Sequence, residues 1–385
     1  MNTYPYPIAS KLPNVGTTIF TIMSKLAADC NAINLSQGYP DFDCAPELRA
    51  LFCKYINAGY NQYPPMAGII ALREAIAEKM QSLYGAVYDP EHEITVTPGA
   101  TYAIYTAVSA FVNPGDEVIL FEPAYDCYGP AVEVNGGRPV YVQMRYPEYS
   151  IDWEAVRAAI TPRTRMLILN SPTNPTATVF SGEDLRTLAS VVRDTDIIIA
   201  SDEVYEHLVY DGHKHQSVAS ILGLAERSVV VNSFGKTYAV TGWKMGYAMA
   251  PKNLMVEFRK VHQFNAFVSN SPVQYAFADY MKNKDAYLSL AAFYQKKRDF
   301  FLEGLNGSRF KPLPSRGTFF QNLAYDAISD ERDTDLAIRL TKEKGVASIP
   351  VSVFYREPPA HKVLRFCFAK SEDTLARGAE ILQQL

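Results

Sequence analysis

Between Ile94 and Ala250 the chain alternates short apolar, β-branched runs with helix-length amphipathic stretches. That alternation is the mark of a mostly parallel sheet covered by helices on both faces. It predicts a seven-stranded sheet, with strands at Ile94–Thr97, Glu117–Phe121, Pro139–Val142, Arg165–Asn170, Ile197–Ser201, Ser228–Asn232 and Gly246–Ala250. Helices are expected over Thr101–Val112, Trp153–Ile160 and Gly182–Arg193. Strands of this kind are apolar along most of their length, so polar residues at their ends stand out. The carboxyl ends of such strands are also where sheet proteins keep their chemistry.

Outside this core the pattern changes. The first forty residues are interrupted by Pro13, Gly16, Gly38 and Pro40, with one helix-like stretch over Thr21–Ala28. Pro46–Asn57 and Gly68–Tyr84 read as amphipathic helices, the second with Leu72, Ile76 and Met80 at four-residue steps. After Pro251 one long helical stretch is expected toward Lys284 and another over Ala286–Leu305. Beyond Gly307, strand-like runs at Thr318–Leu323, Val346–Ile349 and Val363–Phe368 mix with helices at Asp335–Lys344 and Glu372–Leu382, as in a smaller α+β domain. A length of 385 residues suits two domains.

A net charge of −4, with no basic patch, argues against a nucleic-acid or acidic-membrane partner. Five scattered cysteines without a CxxC pair point to reduced thiols and to no metal site. The chain opens without a basic, apolar signal and contains no run able to span a bilayer, so a soluble cytoplasmic protein is expected.

Four strand ends carry the candidate chemistry. Lys236 follows the run Ser228–Asn232 in Ser233-Phe-Gly-Lys236; a confined lysine loses its proton readily, and a neutral amine attacks aldehydes. The plain alternative is a surface lysine in a loop. Asp202 closes the run from Asp196 and is either a helix cap or an acid facing a ligand, with Tyr205 on the same side if a helical turn begins there. Asn174 lies in the rigid loop Asn170-Ser-Pro-Thr-Asn-Pro175, where an X-Pro bond in the cis form is open. Gly99, in Thr97-Pro-Gly-Ala-Thr101, joins a strand to a helix whose free amides favour a phosphate; Ser233 and Lys244 can add to that cup. Arg365, in Val363-Leu-Arg-Phe-Cys-Phe368, sits among apolar residues and needs a carboxylate, either structural or a substrate's.

Asn174-Pro, Ser201-Asp-Glu-Val-Tyr205, Ser233-Phe-Gly-Lys236, Gly242-Trp-Lys244 and Leu364-Arg365 together resemble the blocks of fold type I pyridoxal-phosphate-dependent aminotransferases. The likeness covers nearly the whole chain. Lys11-Leu-Pro, Gly16-Thr-Thr-Ile-Phe20, Asn34-Leu-Ser-Gln-Gly38, Asn61-Gln-Tyr-Pro64 and Ser348-Ile-Pro-Val-Ser-Val-Phe354 look more narrowly like the bacterial methionine aminotransferases and the kynurenine and glutamine transaminases.

The resemblance implies that Lys236 bonds covalently to the aldehyde of pyridoxal 5′-phosphate and then moves a proton between the amino acid's α-carbon and the cofactor. Asp202 is implied to pair with the pyridine nitrogen. Tyr205 and Asn174 would bond the phenolic oxygen, and Tyr125 would stack on the ring. Gly99, Ala100, Thr101, Ser233 and Lys244 would hold the phosphate. Arg365, Asn174 and the Gly38 backbone would take the substrate carboxylate. Tyr63 would reach the phosphate of a neighbouring subunit, which implies a homodimer with shared active sites. Many family members carry arginine where Lys244 stands; this subgroup carries lysine.

With no second cation identified, and with Phe20, Tyr39, Tyr63 and Tyr125 as candidate pocket walls, the expected donor is a large uncharged amino acid such as methionine, an aromatic amino acid, kynurenine or glutamine. A 2-oxo acid would accept in a ping-pong reaction. The nearest alternative is a carbon-sulfur β-lyase using the same lysine. The chain is expected to divide into an N-terminal segment (1–45) packing on the small domain, a large cofactor-binding domain (46–285) and a small C-terminal domain (286–385).

Overall fold

The computed structural model describes residues 3–385. Its largest sheet has seven strands in the spatial order Ile94–Thr97, Gly246–Met249, Ser228–Ser233, Ile198–Asp202, Thr164–Asn170, Glu117–Glu122, Arg138–Gln143. Gly246–Met249 runs antiparallel to both neighbours and every other pairing is parallel. All seven expected strands are present, shifted by at most one residue at either end.

Alternation along the strands explains the layering. Val118, Leu120, Met166, Ile168, Ile198, Ala200, Val229 and Val231 face a layer that contains Ile104 and Val108 of helix Ala100–Phe111 and Phe258 of helix Lys252–Asn265. Ile119, Leu167, Leu169, Ile199 and Val230 face the other way, onto Leu72, Ile76 and Met80 of helix Ile70–Tyr84 and Leu185 and Leu188 of helix Gly182–Val192. With both faces covered, most strand positions are apolar and the few polar ones are hydrogen-bonded.

One polar cluster is nevertheless buried. Lys79, from helix Ile70–Tyr84, donates to the Glu206 carboxylate and, at 2.5 Å, to the Tyr247 hydroxyl. Glu206 also accepts from Tyr84 at 2.7 Å and from Asn232 Nδ2 at 2.8 Å. Burial opposes the charge on Glu206, but Lys79 and these donors outweigh it and hold the carboxyl down at about 2. The cluster ties a helix to the strand that leads into Lys236.

A second, antiparallel sheet orders Ile349–Pro350, Val363–Cys367, Phe320–Ala324 and Lys311–Pro312. Ile33–Asn34 pairs in parallel with Val346–Ala347, which ties the N-terminal segment to this half of the chain.

Three sequence expectations need correction here. The stretch after Pro251 is two helices, Lys252–Asn265 and Ser271–Tyr280, because Asn270 caps a new start and Pro272 fits only a first helical turn. Val346–Ile349 is one run serving two sheets, divided at Ser348. Asp335–Lys344 begins earlier, at Asp333, and widens into a π turn over Leu340–Lys344 that Gly345 ends at φ 75°.

Among the described residues no helix is long and apolar enough to cross a membrane, and no cluster of metal-ligating side chains occurs. All five cysteines are free.

Candidate active site

Asn170 and Asp202 are register partners at the carboxyl ends of adjacent strands, and Ser233 ends the next strand over. Thr97 ends a further parallel strand, with Gly246 wedged between it and Ser233. A Cβ at Gly246 would lie 2.6 Å from the Asn232 carbonyl and 3.0 Å from the Ala100 nitrogen, so only glycine lets these strand ends close up. The result is a cavity of about 150 Å³ lined by Gly99, Ala100, Thr101, Tyr125, Asn174, Asp202, Tyr205, Ser233, Lys236 and Lys244, among others.

Lys236 sits in the helical turn Phe234–Thr237 just past the strand. Its Nζ donates to the Gly38 carbonyl at 3.0 Å and lies 5.4 Å from the Phe319 ring and 5.7 Å from that of Tyr205. Burial pushes its amine down to about 8, with the positive charges of Arg365 and Lys244 acting in the same direction. A far larger fraction of neutral, nucleophilic amine than an ordinary lysine carries near physiological pH follows.

Asp202 is 4% exposed. Its Oδ2 accepts the Tyr128 hydroxyl at 2.7 Å and its Oδ1 the Val204 N–H at 3.3 Å. The second bond resembles a cap, yet residues 204–207 form a turn and no helix starts here. Burial raises the carboxyl to about 6, and the Tyr128 bond pulls against that rise. Asn170 donates its Nδ2 to the Asp202 carbonyl at 2.9 Å, while its Oδ1 accepts the Asn174 N–H at 2.7 Å. It therefore fixes the proline loop, whose Ser171-Pro172 and Asn174-Pro175 bonds are both cis.

Gly99, at φ 86°, precedes helix Ala100–Phe111, whose first amides have no side-chain cap. A Cβ there would stand 3.6 Å from the Lys244 ammonium, so backbone donors and a cation share one small space. Thr101 and Ser233 add hydroxyls to the same cavity.

Arg365 is 1% exposed, though it is not part of the cavity wall itself. It donates from Nη1 to Asn174 Oδ1 and from Nη2 to the Ser36 carbonyl at 3.3 Å, and its Nε has no partner. Its guanidinium carbon lies 3.9 Å from the Phe320 ring centre, 5.3 Å from that of Phe354 and 5.4 Å from that of Phe20. No acid lies within ion-pair distance among the described residues, although the Asp126 charge acts on the guanidinium from farther off. Tyr63 stands apart: it is 81% exposed, with its ring against Phe267, and lies outside the cavity of its own chain.

Tyr128 and Asn170 were not singled out from the sequence. Tyr128 opens a helix three residues beyond Tyr125, and Asn170 ends a strand, so both positions neighbour residues that the sequence did raise.

A nucleophilic lysine, a buried carboxylate across from it and an anion cup on a helix start define a site for an aldehyde-bearing, phosphorylated aromatic cofactor. The comparisons give that class a family. Residues 31–382 match the family described as aminotransferase class I and II, and the chain belongs to it. It is 47% identical to the methionine aminotransferase of Escherichia coli, with all of both chains covered, and 34% identical to mouse kynurenine–oxoglutarate transaminase 1 over 95% of each. A crystal structure of the Escherichia coli methionine aminotransferase superposes with a TM-score of 0.97 over 99% of this chain and 100% of that one. A probable N-succinyldiaminopimelate aminotransferase of Mycobacterium tuberculosis is 38% identical over 98% of each chain. The chain is thus a pyridoxal-phosphate-dependent aminotransferase. The residues present suit that cofactor: uncapped amides beside Lys244 for its phosphate, a buried carboxyl for its ring nitrogen and a readily deprotonated amine for its aldehyde.

Proposed function

We propose that the chain moves the amino group of a large uncharged amino acid, methionine foremost, to a 2-oxo acid in two half-reactions at one site. The observation that carries this reading is Arg365. It is a buried guanidinium without an acid partner, walled by Phe20, Phe320 and Phe354. A bidentate cation in that setting suits a substrate carboxylate, and rings beside it suit an apolar side chain. The other cation acting on Lys236 is Lys244, which sits at the phosphate cup. Of these two cations neither is left over for a side-chain acid, which supports an uncharged donor over aspartate or glutamate.

When bound, the cofactor supplies an aldehyde to the donor's amino group and a ring that takes up the electron pair left by the departing α-proton. With the cofactor bound, Lys236 Nζ would be the base that takes the donor's α-proton and the acid that gives it back to the cofactor. Asp202 keeps the pyridine nitrogen protonated. Tyr205 and Asn174 hold the phenolic oxygen, and Tyr125 covers the ring. Gly99, Ala100, Thr101, Ser233 and Lys244 anchor the phosphate. Arg365, Asn174 and Gly38 orient the carboxylate so that the bond to be broken faces Lys236.

Residues 46–285 would form the cofactor-binding unit and 286–385 the small unit, with 1–45 packed on the latter. A second copy of the chain would supply Tyr63. Its exposure, and that of Phe264 at 86%, suit a face covered in a homodimer.

Following the visible absorption of bound cofactor tests the reading. Adding methionine should shift the band and a 2-oxo acid should restore it, whereas Lys236→Ala should complete neither change. Aspartate turning over as fast as methionine would refute the substrate class.

A further inference from the structure

The short helical segment Val351–Phe354 spans the two sheets like a strap. At one end Asp333 accepts the Ser352 N–H at 2.7 Å and the Ser352 hydroxyl at 2.6 Å. At the other end the strap crosses to the large sheet: the Ala124 N–H donates to the Phe354 carbonyl at 2.9 Å, and the Arg356 N–H donates to Glu122 Oε1. Between these anchors Phe354 packs 5.9 Å from Phe20 and 5.3 Å from the Arg365 guanidinium.

Glu122 is an unusual residue for such a junction. It closes the strand Glu117–Glu122, is 2% exposed, and forms no salt bridge among the described residues. The groups that face it are Arg356 and Glu357 at the strap's end, Tyr355, and Tyr141 on the neighbouring strand. Glu133, 3.9 Å from the Arg356 guanidinium, competes for that cation. Burial, with the charge of Glu357 adding to it, pushes the Glu122 carboxyl up to about 7, against the opposing Arg356 N–H. The Arg356 N–H is the donor its carboxyl receives, so this side chain reaches the strap through that one bond.

We propose that Glu122 is a positioning residue for substrate binding: by accepting the Arg356 N–H it pins the strap so that Phe354 stays seated against Arg365 and Phe20. The proposal rests on the reading that Arg365 receives the substrate carboxylate. Glu122 does not touch substrate, so its loss acts on affinity more than on proton transfer.

The test uses the holoenzyme for kinetics and the cofactor-free protein for hydrogen exchange. Glu122→Ala should raise the KM for methionine about tenfold, with a smaller effect on kcat, as expected when one charge-assisted hydrogen bond that organises binding is lost. It should weaken binding of the des-amino analogue of methionine by a similar factor and speed exchange of the amides over Val351–Arg356. Glu122→Gln, which retains the acceptor oxygen, should restore all three. Should Glu122→Ala fail to fold, Glu122→Asp keeps the charge but withdraws the oxygen by one methylene, and the same rise in KM is expected.

Arg365→Ala separates this inference from the one beneath it. If that variant still binds the des-amino analogue, the carboxylate reading falls and the strap proposal with it. If Arg365→Ala abolishes binding while Glu122→Ala or Glu122→Asp leaves KM and strap exchange at wild-type values, the strap proposal alone is overturned.

Discussion

Tyr128 donates its hydroxyl proton to Asp202 Oδ2 at 2.7 Å, and this bond works against the burial that raises the Asp202 carboxyl to about 6. The carboxylate form, which a protonated ring nitrogen requires, therefore depends partly on a phenol. With the carboxyl raised in the folded protein, the anion is lost as pH falls through that value. Removing the donor moves the loss to higher pH.

Tyr128→Phe should accordingly release cofactor at a higher pH than the wild type, with retention at neutral pH about tenfold weaker. Desalting at stepped pH, followed by the absorbance of bound cofactor, checks this. An unchanged midpoint would detach Tyr128 from Asp202's function.

The amine of Lys236 is held at about 8 against an ordinary 10.5. Between those values the unfolded chain binds more protons than the folded one, so stability of the cofactor-free protein rises with pH across that window. Lys236→Met should abolish the rise and melt higher than the wild type below pH 8, by roughly a few degrees. Borohydride should fix cofactor to the wild type alone, and turnover of the variant should fall by about a thousandfold.

Arg365→Met should separate stability from function. The guanidinium is buried without an acid partner, so an apolar side chain of similar length should stabilise the cofactor-free protein by about 1–3 kcal/mol in urea unfolding. The KM for methionine should rise about fiftyfold in the same variant.

Lys79→Met should behave oppositely. It leaves Glu206 charged and unpaired in the core, at a cost of about 3–5 kcal/mol. The double variant Lys79→Met with Glu206→Leu should recover much of that loss. Because the Glu206 carboxyl is held at about 2, its contribution is present above the ordinary carboxyl range and lost as pH falls toward that value. Thermal melts at neutral and acid pH check both statements.

If Tyr63 serves a neighbouring copy, Lys236→Ala and Tyr63→Ala chains should complement when mixed and refolded. One site of the hybrid would then carry both wild-type residues. Absence of recovered activity, with hybrid formation shown by mass, would overturn the shared site.

The sheet was legible in the sequence because its strands are short, apolar and bounded by turn residues, and Asp202 and Lys236 stand out as polar ends of such runs. The break before Ser271 was blurred because the residues around it continue an apolar pattern, and only Asn270 and Pro272 mark the new start. Ile33–Asn34 and Lys311–Pro312 are two-residue strands that carry no period at all. Arg365's lack of a partner, and the bonds of Asn170 and Tyr128, depend on contacts between distant segments. Tertiary packing assigns those partners, and local spacing does not carry it.

A guanidinium sealed among three phenylalanines with an idle Nε is also a trap for the wrong guest. Small organic anions in a buffer, acetate or citrate among them, would compete for it and depress apparent affinity in proportion to their concentration. Kinetic constants for this enzyme are therefore best compared in media free of carboxylate buffers.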